Sequence, residues 1–205
     1  TSILMGGLEF ETYTTILRET FGMKEFPDFD TRTYRDVVKE ASEFILPAVM
    51  RGTGQFPDSE PRVVDHGEVF TLDRIRDGSR VPELFSNTRR AYAVLNLSLA
   101  VQTITALERV GLEPGVTVYT EGGFRNNRDY NALLATLAPE GRFRLSGMPE
   151  ATSFGAALLG WAALEERSVR ELGERFELTE EAVEGFELPG LDEYVAAFWR
   201  ELGSG

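Results

Sequence analysis

The 205-residue sequence contains no cysteine and a single histidine, His66. The lack of cysteine excludes disulfides, thiolate metal sites and a cysteine nucleophile, and zinc sites built on cysteine and histidine are excluded too. A Ser–His–Asp triad would have to use His66, but no nucleophile-elbow motif accompanies it. We therefore interpret His66 as a polar residue of a strand or turn, and we expect neither a catalytic group nor a metal site in this chain.

Positive charge and long apolar runs are also scarce. The net charge is −13, and of the 21 basic residues only Lys24 and Lys39 are lysines, the opposite of a nucleic-acid-binding surface. No apolar run approaches the roughly 20 residues of a membrane helix, and the N-terminus lacks the pattern of a signal peptide. We expect a cytoplasmic protein with no nucleic-acid or membrane partner, excerpted from something longer because it does not begin with Met.

The hydrophobic pattern predicts alternating helices and strands, and hence an α/β domain with helices packed on a mixed sheet. Strands are expected at 116–120 and 142–147, with a small hairpin around 63–64 and 69–72. Predicted helices cover 8–22, 36–50, 88–110, 128–138, 151–164 and 192–202. We expect one domain over 1–205, with a core at 1–164 and a peripheral, acidic, helical arm at 165–205.

Three segments carry features typical of a ligand site. A strand runs into Gly122 and Gly123 before a helix that Asn127 is placed to cap, and glycines there would let a ligand touch backbone at a helix start. Gly6 and Gly7 likewise precede a helix, with Glu11 one turn beyond Gly7. The segment EATSFGAA adds small residues that favour close helix packing. Each feature alone is also typical of an ordinary turn or packed helix.

Read in order, these segments resemble the C-terminal domain of FGGY-family carbohydrate kinases. YTEGGFRNNRDYNALLA is similar to the family's strand–GGG–helix motif, and PEATSFGAALLG to the helix that follows it. RRAYAVLNLSLAVQTITALERVG resembles the family's long central helix. LPAVMRGTGQFP is similar to a proline- and glycine-containing loop, and ILMGGLEFE to the glycine pair before the first helix. Three departures stand out. Phe124 replaces the third glycine, Asn96 replaces a usual glutamate, and Gly52–Thr53–Gly54 stands where the family has a Gly-Glu-Arg loop.

The resemblance implies an actin-like, ribonuclease-H-like ATPase domain that binds ATP or ADP, with magnesium bound alongside the nucleotide. In this family the sugar contacts, the catalytic base and the phosphate loops belong largely to regions outside the matched segment. The resemblance therefore implies the nucleotide-binding half of a kinase for a ketose or deoxyketose, inactive by itself. A homodimer is compatible with it.

The resemblance also assigns site residues by position. Gly123 and Asn127 should face the adenosine with Gly122 beside them, and Gly7 should lie near the ribose and phosphates. Glu11 takes the place of a helix residue that approaches the ribose, and Phe124 would pack on the adenine. Two alternatives stay open: a non-catalytic actin-like nucleotide-binding or assembly module, and a purely structural α/β domain.

Overall fold

The computed structural model describes residues 5–50, 52, 54–147, 151–176 and 179–203. The chain opens with helix α1 (Met5–Glu19), followed by helix α2 (Thr31–Glu40) and strand β1 (Glu43–Leu46). Residues Ile3, Leu4, Arg51, Thr53, Pro149 and Glu150 of the motifs quoted above lie outside the described ranges.

The predicted helix over 36–50 is wrong in its second half. The helix ends at Glu40, because Ala41 adopts the left-handed conformation with φ of 44° and closes the last turn onto Val37. The next residues form β1, whose four side chains are all buried. An apolar run this short suits a buried strand or a buried helix equally well, so periodicity alone misassigned it.

The first sheet is antiparallel and contains the predicted hairpin. Strand β2 (Arg62–Asp65) pairs with β1 on one side and with β3 (Glu68–Thr71) on the other. A short helix α3 (Leu72–Arg76) and a 3-10 turn (Glu83–Ser86) lead from this sheet to the longest helix, α4 (Thr88–Arg109). The hairpin and the α4 predictions are confirmed.

Helix α4 lies at the centre of the molecule, as its apolar residues on several faces predict. Every residue from Ala91 to Val101 is buried. It packs against α1, α2 and β1, and most extensively against α5 (Arg128–Leu137).

The second sheet is mixed, as predicted. Strand β4 (Thr117–Thr120) pairs in parallel with β5 (Arg142–Ser146), and β5 pairs antiparallel with β6 (Glu180–Ala182). The connection from β4 to β5 passes through a 3-10 turn (Gly122–Asn126) and then α5. Since β4 and β5 are adjacent and parallel, the turn that follows β4 lies at the carboxyl edge of this sheet.

Helices α6 (Ala151–Glu165) and α7 (Val169–Gly173) form a separate small unit. The prediction that α6 packs on the mixed sheet is wrong, because it packs mainly on α7. Leu158, Ala162 and Leu172 form a cluster of their own, distinct from the main core. The small residues of α6 do not mediate a close approach, since a Cβ added at Gly155 or Gly160 would meet nothing within 4 Å.

The C-terminal segment differs from the predicted peripheral helical arm. Residues Glu180–Ala182 form the edge strand β6, and α8 (Leu191–Gly203) packs into the main core against α2 and β1. Tyr194 and Phe198 of α8 are fully buried. The acidic residues of α8 misled the prediction, because they occupy its solvent face while its apolar stripe faces inward. In the described ranges, no helix has both the length and the apolarity that a membrane crossing requires.

Candidate functional site

The two glycine segments, far apart in sequence, meet in space. The start of α1 lies beside the 3-10 turn after β4, and the ring of Phe124 fills the space between them. A Cβ added at Gly6 would lie 3.8 Å from this ring, and the ring centroids of Phe10 and Phe124 are 5.6 Å apart. Phe124, where the related motif has glycine, therefore joins the turn to α1.

A cavity of about 760 Å³ opens between these two segments. Its walls come from α1, the connection between α1 and α2, the N-terminal part of α4, the 3-10 turn after β4 and the start of α5. The lining residues are Gly7, Phe10, Phe26, Pro27, Asp28, Phe29, Tyr92, Gly123, Phe124, Asn126, Asn127, Arg128 and Asp129. Of the six residues predicted for the site, Gly7, Gly123, Phe124 and Asn127 line this cavity.

The two glycines of the turn have different structural roles. Gly122 has φ of +64°, a conformation that favours glycine, so it is needed for the turn itself. Gly123 has no such φ, and a Cβ added there would meet nothing within 4 Å. Because Gly123 lines the cavity, that Cβ would enter space open to a ligand.

Asn127 caps α5, as predicted, but its side chain is committed to the protein. Its Oδ1 accepts from the backbone N–H of Tyr130 at 3.0 Å, and its Nδ2 donates to Oδ1 of Asn96 at 2.7 Å. Asn96 in turn donates to the carbonyl of Tyr92 at 2.9 Å. Asn127 thus ties the turn to α4, and its amide is occupied without any ligand.

Asn131, four residues after Asn127 on α5, also holds the 3-10 turn that follows β4. Its Nδ2 donates to the carbonyl oxygens of Phe124 and Asn127, both at 2.7 Å. These two bonds fix the carbonyl groups that follow Gly123, and such support favours a backbone contact to a ligand.

An aromatic wall forms the other side of the cavity, and sequence reasoning missed it. Phe26 stacks on Tyr92 with ring centroids 5.4 Å apart, and Phe10 lies 5.5 Å from Phe26. The guanidinium of Arg18 lies 4.3 Å from the Phe26 centroid. A signal was present: Phe26 and Phe29 both fall in the short connection between α1 and α2, where polar residues are the norm.

Polar side chains at the N-terminus of α5 line one side of the cavity. The side chain of Asp129 accepts from the hydroxyl of Tyr34 at 2.5 Å. Burial raises the pKa of Asp129, against the opposing effect of this hydrogen bond, and burial also raises the pKa of Tyr92 to about 12. The guanidinium of Arg128 lies over the ring of Phe29 at 5.0 Å. Neighbouring positive and negative groups therefore face an otherwise apolar slot.

Glu11 lies away from this cavity, and its role near the ribose stays a prediction. It is exposed and lines a separate groove with Leu8, Glu19, Ile75 and Arg76 among others. Phe10 and Glu11 lie on opposite sides of Gly7 around the helix, and the cavity opens on the side of Phe10.

A second cluster of ligand-type side chains lies on the hairpin sheet. Glu43, Asp65 and His66 each place one ligand atom within 4.8 Å of the others. These groups already have partners: Arg90 Nε donates to Glu43 at 2.5 Å, and Asp65 bonds the Leu84 amide and His66 Nδ1, both at 2.8 Å. The hydrogen bond to Asp65 raises the pKa of His66, which lies in the β2–β3 turn as predicted. We interpret this cluster as two neighbouring pairs, Glu43 with Arg90 and Asp65 with His66.

The cavity is suited to binding a flat, partly apolar group. Aromatic rings and glycine backbone supply the walls, and a few polar groups supply orientation, the usual composition of a small-molecule site. Among the described residues, the lining contains no serine, cysteine, histidine or lysine. The aromatic and glycine walls are suited to recognition of a bound group.

Comparison with known proteins points to one family. A family model described as carbohydrate kinase FGGY, C-terminal domain, matches residues 1–169. The crystal structure of a carbohydrate kinase from Novosphingobium aromaticivorans has a similar fold, with a TM-score of 0.63 and 24% identity over 98% of this chain. This chain spans 36% of that kinase's length. No curated protein sequence matches.

Proposed function

This chain belongs to the FGGY carbohydrate kinase family as a C-terminal domain, and from that membership we propose that it is the nucleotide-binding half of an ATP-dependent carbohydrate kinase. In the complete enzyme the γ-phosphate of ATP would pass to a hydroxyl of a ketose or deoxyketose. The fold proposed for this half is the actin-like, ribonuclease-H-like ATPase domain, in a cytoplasmic enzyme.

The observation that carries the proposal is the convergence of Gly7 and Gly123 on one aromatic-lined cavity. An adenine ring needs an apolar slot, and its ribose needs backbone that can come close. Gly123 would contact the adenosine with Gly122 shaping the turn, and Gly7 would lie near the ribose. Phe124 would border the base slot. Asn127 would act by holding the turn, because both polar atoms of its amide are already bonded.

Magnesium would enter with the nucleotide phosphates rather than through a preformed cage. Among the described lining residues the carboxylates are Asp28 and Asp129, and Asp129 accepts a hydrogen bond from Tyr34. The residues at hand therefore fit the base and ribose better than the metal. Positioning the phosphates and activating the sugar hydroxyl would fall to the rest of the kinase.

The exposed apolar side chains of α6 support the proposal that a second domain of the kinase packs against this helix. Leu159 is 62% exposed and Leu164 86% exposed, and α6 carries no charge before Glu165. Such a face is expected where a second domain packs. We expect the other half of the kinase to cover these side chains of α6.

Two assays test the proposal. ADP titrated into the purified chain should bind, while ATP and sugar incubated with the same chain should yield no sugar phosphate. A longer protein containing this segment should phosphorylate a member of a ketose panel. Binding of ADP without any kinase activity in the longer protein would favour a nucleotide-binding or assembly module instead. Failure of the folded chain to bind adenine nucleotides would leave a purely structural domain.

A further inference from the structure

Helix α1 contributes to the cavity on one face and to the protein core on the other. Gly7 and Phe10 line the cavity. Glu9, between them in sequence, points the opposite way and is completely buried. A fully buried glutamate is rare unless its charge is compensated.

The charge of Glu9 is poorly compensated. Its Oε1 accepts one hydrogen bond, from Nε2 of Gln102 on α4, at 3.2 Å. Its Oε2 has no hydrogen-bond partner among the described residues, and neither does the buried hydroxyl of Tyr13 one turn along. Gln102 also contacts Ser98, at 3.1 Å, so α4 presents uncharged groups to this carboxyl.

Ionisation of Glu9 would therefore place an unpaired charge between α1 and α4. Burial raises the pKa of Glu9 to about 7, although the hydrogen bond from Gln102 opposes the shift. The titratable and charged groups nearby are Tyr13 on α1, whose own pKa rises through burial and through the charge of Glu9, and Arg76 on α3, which acts on Tyr13. Neither neutralises an ionised Glu9, so the protonated form suits the packed helix.

We propose that Glu9 is a positioning residue for the nucleotide site, which in its protonated form seats α1 on α4 and so places Gly7 and Phe10 at the cavity. The inference rests on the nucleotide-binding function proposed above. It adds that the affinity for nucleotide falls as Glu9 ionises.

The coupling follows from the contacts of Phe10. Its ring lies 5.5 Å from Phe26, 6.1 Å from Tyr92 and 5.6 Å from Phe124, centroid to centroid. A displacement of α1 would therefore disturb three walls of the cavity at once. By linkage, a nucleotide that favours the seated helix must equally favour the protonated carboxyl.

The test is ADP titration of the complete chain by calorimetry between pH 6 and pH 8.5. Wild type, Glu9→Gln and Glu19→Gln would be compared, the last being an exposed glutamate at the other end of α1. The phosphates of ADP titrate in this range too, but identically for all three proteins. We expect wild-type and Glu19→Gln affinity to fall roughly fivefold more than that of Glu9→Gln, the low end of typical coupling between sites.

A pH profile of Glu9→Gln that parallels wild type would overturn the inference while leaving nucleotide binding intact. Absence of ADP binding to wild type at every pH would instead refute the proposed function and the inference together. Circular dichroism must show that the variant is folded. If Glu9→Gln does not fold, Glu9→Met removes the titrating group with similar length, and a wild-type pH profile there would equally refute the inference.

Discussion

The main core and the α6–α7 unit are packed very differently within one short chain. The main core surrounds α4 and includes side chains from α1, α2, α5, α8 and both sheets. The α6–α7 cluster consists of Leu158, Ala162 and Leu172, with Phe154 and Trp161 packed on it. The comparison teaches that the cavity is built on the large main core, whereas α6 packs on a small cluster and leaves Leu159 and Leu164 exposed.

The largest expected effect follows from the position of α8 in the main core. Phe198→Ala should destabilise the folded chain by about 3–5 kcal/mol, the usual cost of deleting a buried phenylalanine side chain. Urea denaturation followed by circular dichroism measures this. A cost below about 1 kcal/mol would mean that α8 is peripheral after all and that the core is smaller than described.

Glu9 is a buried carboxyl in the main core, and its contribution to the free energy of unfolding depends on pH. Because burial raises the folded-state pKa from 4.5 to about 7, the native state holds the proton more tightly than the unfolded chain does. Stability from this group is thus fully present below pH 4.5 and is lost as pH rises through 7. The loss amounts to about 3 kcal/mol.

Glu9→Gln should remove this pH dependence. Between pH 4.5 and pH 8.5 the free energy of unfolding of the wild type should fall by about 3 kcal/mol more than that of Glu9→Gln. Glu19→Gln provides the matched control, since that side chain is exposed. Denaturation curves for the three proteins at both pH values make the measurement, and equal changes in all three would contradict the buried-carboxyl interpretation.

The smallest effect is expected on the exposed face of α6. Leu159→Ser should change the stability of the chain by no more than about 0.5 kcal/mol, as for other surface substitutions. The same change in a longer kinase should cost more if a second domain covers this face. A loss of 2 kcal/mol or more in the short chain would show that the face is already buried and would remove the contrast with the main core.

The parts of the fold that the sequence predicted well are those with an unambiguous local pattern. The strand at β4, the cap at Asn127 and the long α4 each carry a distinct signal in composition or spacing. The strand β1 does not, because Glu43–Leu46 is buried on both faces and follows helical residues without a turn signal. The tertiary position of α8 likewise could not be read from its acidic surface.

Only part of the candidate site could be predicted from the sequence. Glycine positions mark backbone that must stay open, so Gly7 and Gly123 could be placed from the family resemblance. The aromatic wall from Phe10, Phe26 and Tyr92 forms by contacts between three separate segments, and only the aromatic residues of the α1–α2 connection gave a local signal. Glu9 gave no signal at all, since a glutamate on an amphipathic helix is normally solvated.

The most direct test of the central claim is an ADP titration of Gly123→Val beside Gly155→Val. A Cβ at either glycine meets no protein atom within 4 Å, and neither has a positive φ, so both variants should fold. Gly155→Val changes the α6–α7 unit, away from the cavity, and should bind ADP as wild type does. Gly123→Val should bind at least tenfold more weakly, about 1.4 kcal/mol or more, because its side chain occupies ligand space. Equal ADP affinity of the two variants would contradict the placement of the nucleotide in this cavity.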